Sequence, residues 1–119
     1  MEDSVRYESE GREANALYSS MLPPGGDVVY IGPSREPYSL ALFHQLRCLD
    51  VMWQDYLALR GASNTSRDCL QYLRQTLLCH AETRLEPARS PRGPRLINFS
   101  YDYICRDWSA VYSTAASFQ

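Results

Sequence analysis

Apolar residues recur every three or four positions between Ser39 and about Leu59, a spacing that aligns them along one side of an α-helix. Pro37 lies just before this run, and proline is favoured in the first turn of a helix. The recurring apolar residues are Leu42, Leu46, Leu49, Trp53 and Tyr56. The pattern therefore predicts a first long helix whose apolar stripe faces the core.

A second helical segment follows a polar loop that begins at Gly61. Thr65 or Ser66 is expected to cap this helix, because a hydroxyl group can accept a hydrogen bond from a backbone N–H of the first turn. The helix is predicted to run to about Thr83. It must end before Pro87, because a residue that precedes proline disfavours the helical conformation.

The other segments are predicted to be short or irregular. Residues 1–14 are charged and lack periodicity, which is typical of a flexible or partner-held arm. The predictions for the rest are a short helix at Ala14–Met21, short strands at Asp27–Ile31 and Leu96–Ile104, a loop at Arg89–Arg95 and a mostly irregular tail at Ser109–Gln119. The fold class is therefore mainly α with small β elements (α+β), with residues 15–119 in a single domain.

Composition narrows the possible functions. The chain has 119 residues and a formal charge of -2, so it lacks the basic surface that nucleic-acid binding requires. All twelve basic residues are arginine, which excludes Schiff-base chemistry and the lysine of a phosphate-binding loop. Because no stretch reaches the roughly 18 apolar residues of a membrane span, we expect a soluble and cytoplasmic protein. An anchor preceding this sequence would instead place it in the secretory or endomembrane system.

The four cysteines leave their pairing open. Cys48, Cys69, Cys79 and Cys105 permit three disulfide arrangements, and their spacing does not fit a zinc site. Without a secretory signal, reduced and buried thiols are the simpler interpretation. Two glycosylation acceptor triplets begin at Asn64 and Asn98, and they matter only if the chain enters the secretory pathway.

Polar residues share faces with cysteines on both predicted helices. His44, Arg47 and Cys48 lie at positions i, i+3 and i+4 of the first helix. Thr65, Asp68, Cys69 and Tyr72 have matching spacing on the second, and further turns lead to His80. Each face alone is more often a set of hydrogen-bonded structural residues than a catalytic site. Together they predict either a metal site or a substrate pocket, with Tyr103 as a further proton donor.

Three segments in order resemble a known family. SLALFHQLRCLD, CLQYLRQTLLCHAETRLEP and ICRDW are similar to the motifs of the UstYa-like family of fungal secondary-metabolite tailoring proteins. The resemblance covers about residues 16–108. It implies oxidases that depend on a metal, with copper as the expected ion, and two copies of a His-x-x-His-Cys motif.

The motif residues depart from the family pattern. The first copy, HQLRC, keeps His44 and Cys48 but has Arg47 in place of the second histidine. The second copy, TSRDC, keeps only Cys69 and has Thr65 and Asp68 at the histidine positions. Tyr103 also replaces a histidine that is common in the family, whereas His80 is kept. An arginine at a ligand position repels a metal cation, so we expect the redox metal to be lost.

These departures lead to a metal-independent cyclase or isomerase as the main hypothesis. It acts on a polyketide, peptide or terpenoid intermediate by conjugate addition or cycloaddition. Arg47 stabilises a developing oxyanion, and Asp68 and His44 act as acid or base. His80, Tyr72, Tyr103 and Thr65 line the substrate pocket. No cofactor is needed.

Two rival hypotheses stay open. In the first, the protein is a copper-dependent oxidase of the family type, with His44, His80 and Asp68 as the metal ligands. In the second, it is a catalytically silent subunit that pairs with an intact family member. A homodimer is also plausible, because one small domain encloses little of a substrate.

Overall fold

The computed structural model describes residues 12–59, 61–83, 89–90, 93–94 and 104–119. The helices in these residues are α1 (Arg12–Ser19), α2 (Ala41–Leu57), α3 (Asn64–His80) and α4 (Trp108–Ala116). The strands β1 (Val28–Ile31) and β2 (Glu36–Ser39) form one antiparallel pair, and β3 (Arg89–Ser90) and β4 (Gly93–Pro94) form another. The predicted fold class, mainly α with small β elements, is confirmed. No helix among the described residues is long and apolar enough to cross a membrane.

The two long helices are present, with small differences at their ends. Ser63 caps α3, because its hydroxyl accepts a hydrogen bond from the backbone N–H of Ser66 at 3.1 Å. The prediction that Thr65 or Ser66 forms the cap is therefore wrong. The helix ends at His80 rather than Thr83, because Ala81 adopts a left-handed conformation with φ of 42° that stops the helical hydrogen bonding.

The predicted apolar stripe of α2 is only partly buried. Phe43 and Cys48 are the buried residues of this helix, whereas Leu49 is 41% and Tyr56 is 63% exposed. The difference arises because α2 is flanked by α1 and α3, so its contacts fall on several sides. Trp53 stacks on Tyr18 of α1 at 4.7 Å between ring centroids, which joins these two helices.

A β-hairpin precedes α2. Pro37 was expected to start the helix, but it lies in β2 opposite Tyr30, and α2 begins at Ala41. The turn uses Gly32 and Arg35, both at positive φ. All four residues of β2 are exposed, so backbone pairing alone defines this strand, and no apolar pattern in the sequence reveals it.

The outer edge of β1 contacts the C-terminal residues. The backbone N–H of Tyr30 donates to the carbonyl of Phe118 at 2.8 Å. The side-chain amide of Gln119 donates to the carbonyl of Gly26 at 3.0 Å. The last two residues of the chain are thereby held beside the hairpin.

The predicted irregular tail is wrong, because residues 108–116 form α4. Asp107 caps this helix by accepting a hydrogen bond from the N–H of Ala110 at 3.1 Å. The helix then packs on the core through Val111 and Ala115. Apart from its three alanines, α4 consists of weak helix formers that give little local signal, so the helix depends on this cap and on tertiary packing.

The core combines three distant segments. Val29 of β1, Phe43 of α2 and Ala115 of α4 are its buried members, at 6%, 0% and 6% exposure. The rings of Phe43 and Tyr112 meet edge to face with centroids 4.8 Å apart. The Tyr112 hydroxyl also donates to the carbonyl of Met21, which fixes the segment after α1.

Several predictions fall partly or wholly outside the described residues. The predicted strand Leu96–Ile104 lies outside the described residues except for Ile104, which is in no strand and is 97% exposed. The predicted Arg89–Arg95 loop contains the four residues of β3 and β4. The predicted short helix is confirmed, but it begins at Arg12, inside the expected flexible arm, and Ala14 is fully buried.

Candidate functional site

A disulfide joins the two helices that carry the motif residues. Cys48 of α2 and Cys69 of α3 are bonded, with their Cα atoms 5.1 Å apart, and both are buried. The interpretation of these two cysteines as reduced thiols is therefore wrong. In the disulfide their sulfur atoms are not thiolates, the form in which cysteine binds a metal. Cys79 and Cys105 are free and exposed.

His44 and Tyr72 form a stacked aromatic pair one helical turn from the disulfide. Their ring centroids are 4.1 Å apart and the ring planes differ by 14°. Because residue 44 meets residue 72 while residue 48 meets residue 69, α2 and α3 run antiparallel. Both rings are half-buried, so the pair keeps some access to solvent. Of the predicted site residues, the structure brings these two into contact.

Arg47 is bound to Asp27, an acid that the sequence does not predict as its partner. Its guanidinium donates to Asp27 at 2.8 Å, and the side chain remains 58% exposed. Asp27 is only 14% exposed and also accepts a hydrogen bond from the Ser39 hydroxyl at 3.1 Å. The partners are 20 positions apart in the sequence, and no local pattern predicts this pair, since it depends on how the hairpin folds back onto α2.

The environment of Asp27 favours its charged form. Partial burial acts to raise the pKa of the carboxyl group, but the hydrogen bonds from Arg47 and Ser39 and the charge of Arg47 outweigh burial. The pKa is consequently lowered from its ordinary value of 3.8. At neutral pH the pair is a salt bridge between the hairpin and α2.

The remaining predicted site residues do not join this group. Thr65 and Asp68 are exposed on α3, and His80 is the exposed last residue of that helix. Tyr103 lies outside the described residues. Sequence spacing placed Asp68 on the face of Cys69 and Tyr72, but the buried side of α3 passes through Ser66 and Cys69 and leaves Asp68 exposed.

The residues expected to retain copper do not fit a metal site as a set. Among the described residues, no three histidine, cysteine, aspartate or glutamate side chains lie close enough to hold one ion. His44, His80 and Asp68 therefore do not converge. The imidazole of His44 instead stacks on the ring of Tyr72.

An apolar cavity of about 410 Å³ lies between the hairpin and α4. Val29, Ile31 and Leu40 line one side. Val111, Ala115 and Phe118 are among the residues on the other. Neither His44 nor Tyr72 is part of its lining. The sequence does not predict this cavity, because the α4 residues that line it have no local helical pattern.

Comparison with protein families gives a match across most of the chain. The model described as mycotoxin biosynthesis protein UstYa matches residues 11–113. This range contains both motif helices, the hairpin and most of α4. No solved structure matches the chain.

Three curated relatives carry oxidase names. The chain is 31% identical to the UstYa family oxidase phomYb of Diaporthe leptostromiformis, over 64% of this chain and 33% of that protein. It is 30% identical to oxidase ustYa of Aspergillus flavus, over 60% of this chain and 37% of that protein. It is 31% identical to oxidase ustYb of the same fungus, over 70% of this chain and 44% of that protein. The chain thus spans less than half the length of each. Because the family match covers most of its residues, the chain belongs to the UstYa family of mycotoxin biosynthesis proteins.

Proposed function

We propose that this protein takes part in oxidative tailoring of a small-molecule intermediate in fungal secondary metabolism. The observation that carries the proposal is that its three reported relatives are all named oxidases. Membership of a mycotoxin biosynthesis family supports the same biological setting. Together these findings favour the oxidase hypothesis over the metal-free cyclase that the sequence suggested.

The stacked pair of His44 and Tyr72 is the proposed substrate contact. Their half-buried rings present an aromatic surface, which suits a flat or unsaturated part of a metabolite. Histidine is the side chain best suited to moving a proton near neutral pH, so His44 is the proposed acid or base. Asp68 and His80 are both exposed on α3, and we propose that they contact the outer part of a bound substrate.

Arg47 remains available for an anionic group of the substrate. Guanidinium carries five N–H donors, and the contact with Asp27 is the hydrogen bond that this side chain makes among the described residues. Its exposure leaves the other donors accessible to a carboxylate or enolate. Asp27 already balances its charge, however, so Arg47 gives a weaker anion site than an unpaired arginine.

Copper is the cofactor that the family resemblance implies, but the described residues do not supply its ligands. The two motif cysteines are bonded to each other, and His44, His80 and Asp68 do not converge. We therefore assign no step of the oxidation to a metal held by these residues. The proposed reaction removes two hydrogen atoms from the substrate or adds one oxygen atom to it, with dioxygen as the electron acceptor.

A metal-independent cyclase or isomerase is the second candidate. It is favoured by Arg47, a permanent cation at the position where the family motif has a histidine ligand. In this mechanism the His44 and Tyr72 rings hold a folded substrate, and orientation supplies much of the acceleration. The two candidates differ in one measurable property, the elemental composition of the substrate relative to the product.

Deletion of the gene in the producing fungus, followed by high-resolution mass spectrometry of the accumulated metabolite, tests both candidates. Oxidative tailoring predicts a precursor with two more hydrogen atoms or one fewer oxygen atom than the lost product. A cyclase or isomerase predicts a precursor with the same composition as the product. An isomeric precursor would therefore overturn the oxidase proposal.

Single substitutions then test the site. His44→Ala is expected to lower product formation by about a hundredfold, the usual contribution of a general acid or base. Gln75→Ala changes an exposed residue of the same helix pair and should leave it unaltered. If deletion abolishes the product but His44→Ala and Tyr72→Ala both retain it, the chain acts as a silent partner subunit.

A further inference from the structure

We propose that Asn64 carries an N-linked glycan. The residue begins the acceptor triplet Asn64-Thr65-Ser66, and it is the first residue of α3. Such triplets also occur by chance, so the sequence alone does not identify a modified residue. Two structural observations, the surface position of Asn64 and a buried disulfide, carry the proposal.

The acceptor side chain is placed for modification. Residues 61–65 are all exposed, in the loop that joins α2 to α3 and at the start of α3. The capping hydrogen bond of this helix comes from the neighbouring Ser63, so the Asn64 amide is not needed for it. Within the described residues, no hydrogen bond involves the Asn64 side chain. A glycan attached there points into solvent and displaces nothing that holds the helix.

The disulfide indicates the compartment. Disulfides form and persist in the secretory pathway and are rare in the cytosol, where thiols are kept reduced. The Cys48–Cys69 bond is buried between the two longest helices, so it is part of the fold and not an incidental surface link. A chain that folds around this bond passes through the compartment in which asparagine-linked glycans are added. This observation is independent of the acceptor triplet.

The fold also constrains when the transfer happens. The Ser66 hydroxyl, which the transferase recognises in the triplet, is 4% exposed and hydrogen-bonded to Asp55 at 2.6 Å. Transfer must therefore precede the docking of α3. The Asn64 amide nitrogen bonds to the anomeric carbon of a lipid-diphosphate-linked oligosaccharide and loses a proton. The bond from that carbon to the phosphate oxygen breaks, and the lipid diphosphate leaves with the electron pair.

The glycan and the stacked aromatic pair lie at opposite ends of α2. His44 is in the first turn of α2, whereas Asn64 follows the end of that helix and begins α3. Along α3, the eight positions from Asn64 to Tyr72 span roughly 12 Å at 1.5 Å per residue. The glycan is therefore attached about two helical turns from the proposed substrate contact.

The test uses the full gene expressed in its own fungus, in a background of Asn98→Gln that removes the second triplet. Treatment with an endoglycosidase should increase the mobility of this protein by the mass of one glycan. Asn64→Gln should abolish the shift, and Thr65→Ala, which keeps the triplet, should retain it. No shift in the Asn98→Gln protein, or a shift that survives Asn64→Gln, would overturn the proposal.

Peptide mass spectrometry on the unmutated protein gives a readout that does not depend on how the variants fold. Enzymatic release of the glycan in heavy-oxygen water converts a modified asparagine to labelled aspartate. We expect the label at Asn64 in the same molecules that contain the Cys48–Cys69 disulfide. An unlabelled Asn64 in disulfide-bonded protein would show that the residue is not modified.

Discussion

At the scale of single residues, the anion-binding role proposed for Arg47 competes with a contact that the residue makes in the fold. Its guanidinium joins α2 to Asp27 at the start of the hairpin. The arginine that stands out in the motif therefore provides a structural contact. Spacing in the sequence identified Arg47 as unusual, but only the folded chain identifies its partner.

Asp27→Asn is expected to lower the free energy of unfolding by about 1 kcal/mol at pH 7, a modest value because solvent screens the exposed arginine. Since the pKa of Asp27 is lowered on folding, this stability is full above the ordinary pKa of 3.8 and is lost as the pH falls through the folded value. The difference in unfolding free energy between the variant and the natural protein should therefore shrink as the pH falls below 3.8. Urea unfolding at several pH values measures this difference.

Asp68→Asn is the matched control, because it removes the same charge from an exposed position on α3. It should change the unfolding free energy by less than about 0.5 kcal/mol at any pH. A double-mutant cycle with Arg47→Ala should recover most of the Asp27 effect as coupling energy. Additive effects in the cycle would contradict the salt bridge as the cause.

At the scale of elements, the sequence predicts the two long helices, but it does not predict β2 and α4, which depend on contacts with the rest of the fold. The apolar spacing in α2, and the capping hydroxyl and following proline around α3, located both helices to within about three residues at each end. In β2 every side chain is exposed, and in α4 most residues are small, so neither has a local pattern that separates it from a loop. The pairing of His44 with Tyr72 followed from helix faces only after the disulfide had set the antiparallel register.

The disulfide is expected to contribute a large part of the unfolding free energy of the helix pair. Replacing both cysteines, in Cys48→Ala/Cys69→Ala, is expected to lower the free energy of unfolding by about 3 kcal/mol, because the linked positions are 21 apart in the sequence and the open chain gains that loop's freedom on unfolding. Cys79→Ser, at an exposed free thiol, should cost almost nothing. Urea midpoints with and without reductant measure both. If reductant leaves the natural protein as stable as before, the bond does not contribute as described.

At the scale of the whole molecule, Phe43 links three segments that are far apart in sequence. Phe43→Ala is expected to cost about 3 to 4 kcal/mol, because it removes a fully buried ring from between Val29 and Ala115. Hydrogen exchange should show faster opening in α4, where Tyr112 loses one of its edge-to-face contacts. Leu49→Ala, at a partly exposed position of the same helix, should cost clearly less. Unchanged protection of α4 would contradict its packing on this core.

The contact between Phe118 and the hairpin also bears on self-association. A strand with unpaired backbone groups is a template on which another chain can add its own strand, and this is a common route to aggregates. In this molecule the N–H of Tyr30 is already bonded to Phe118, and the neighbouring strand contains Pro37, which has no N–H to donate. The small sheet is consequently a poor seed for fibrous growth.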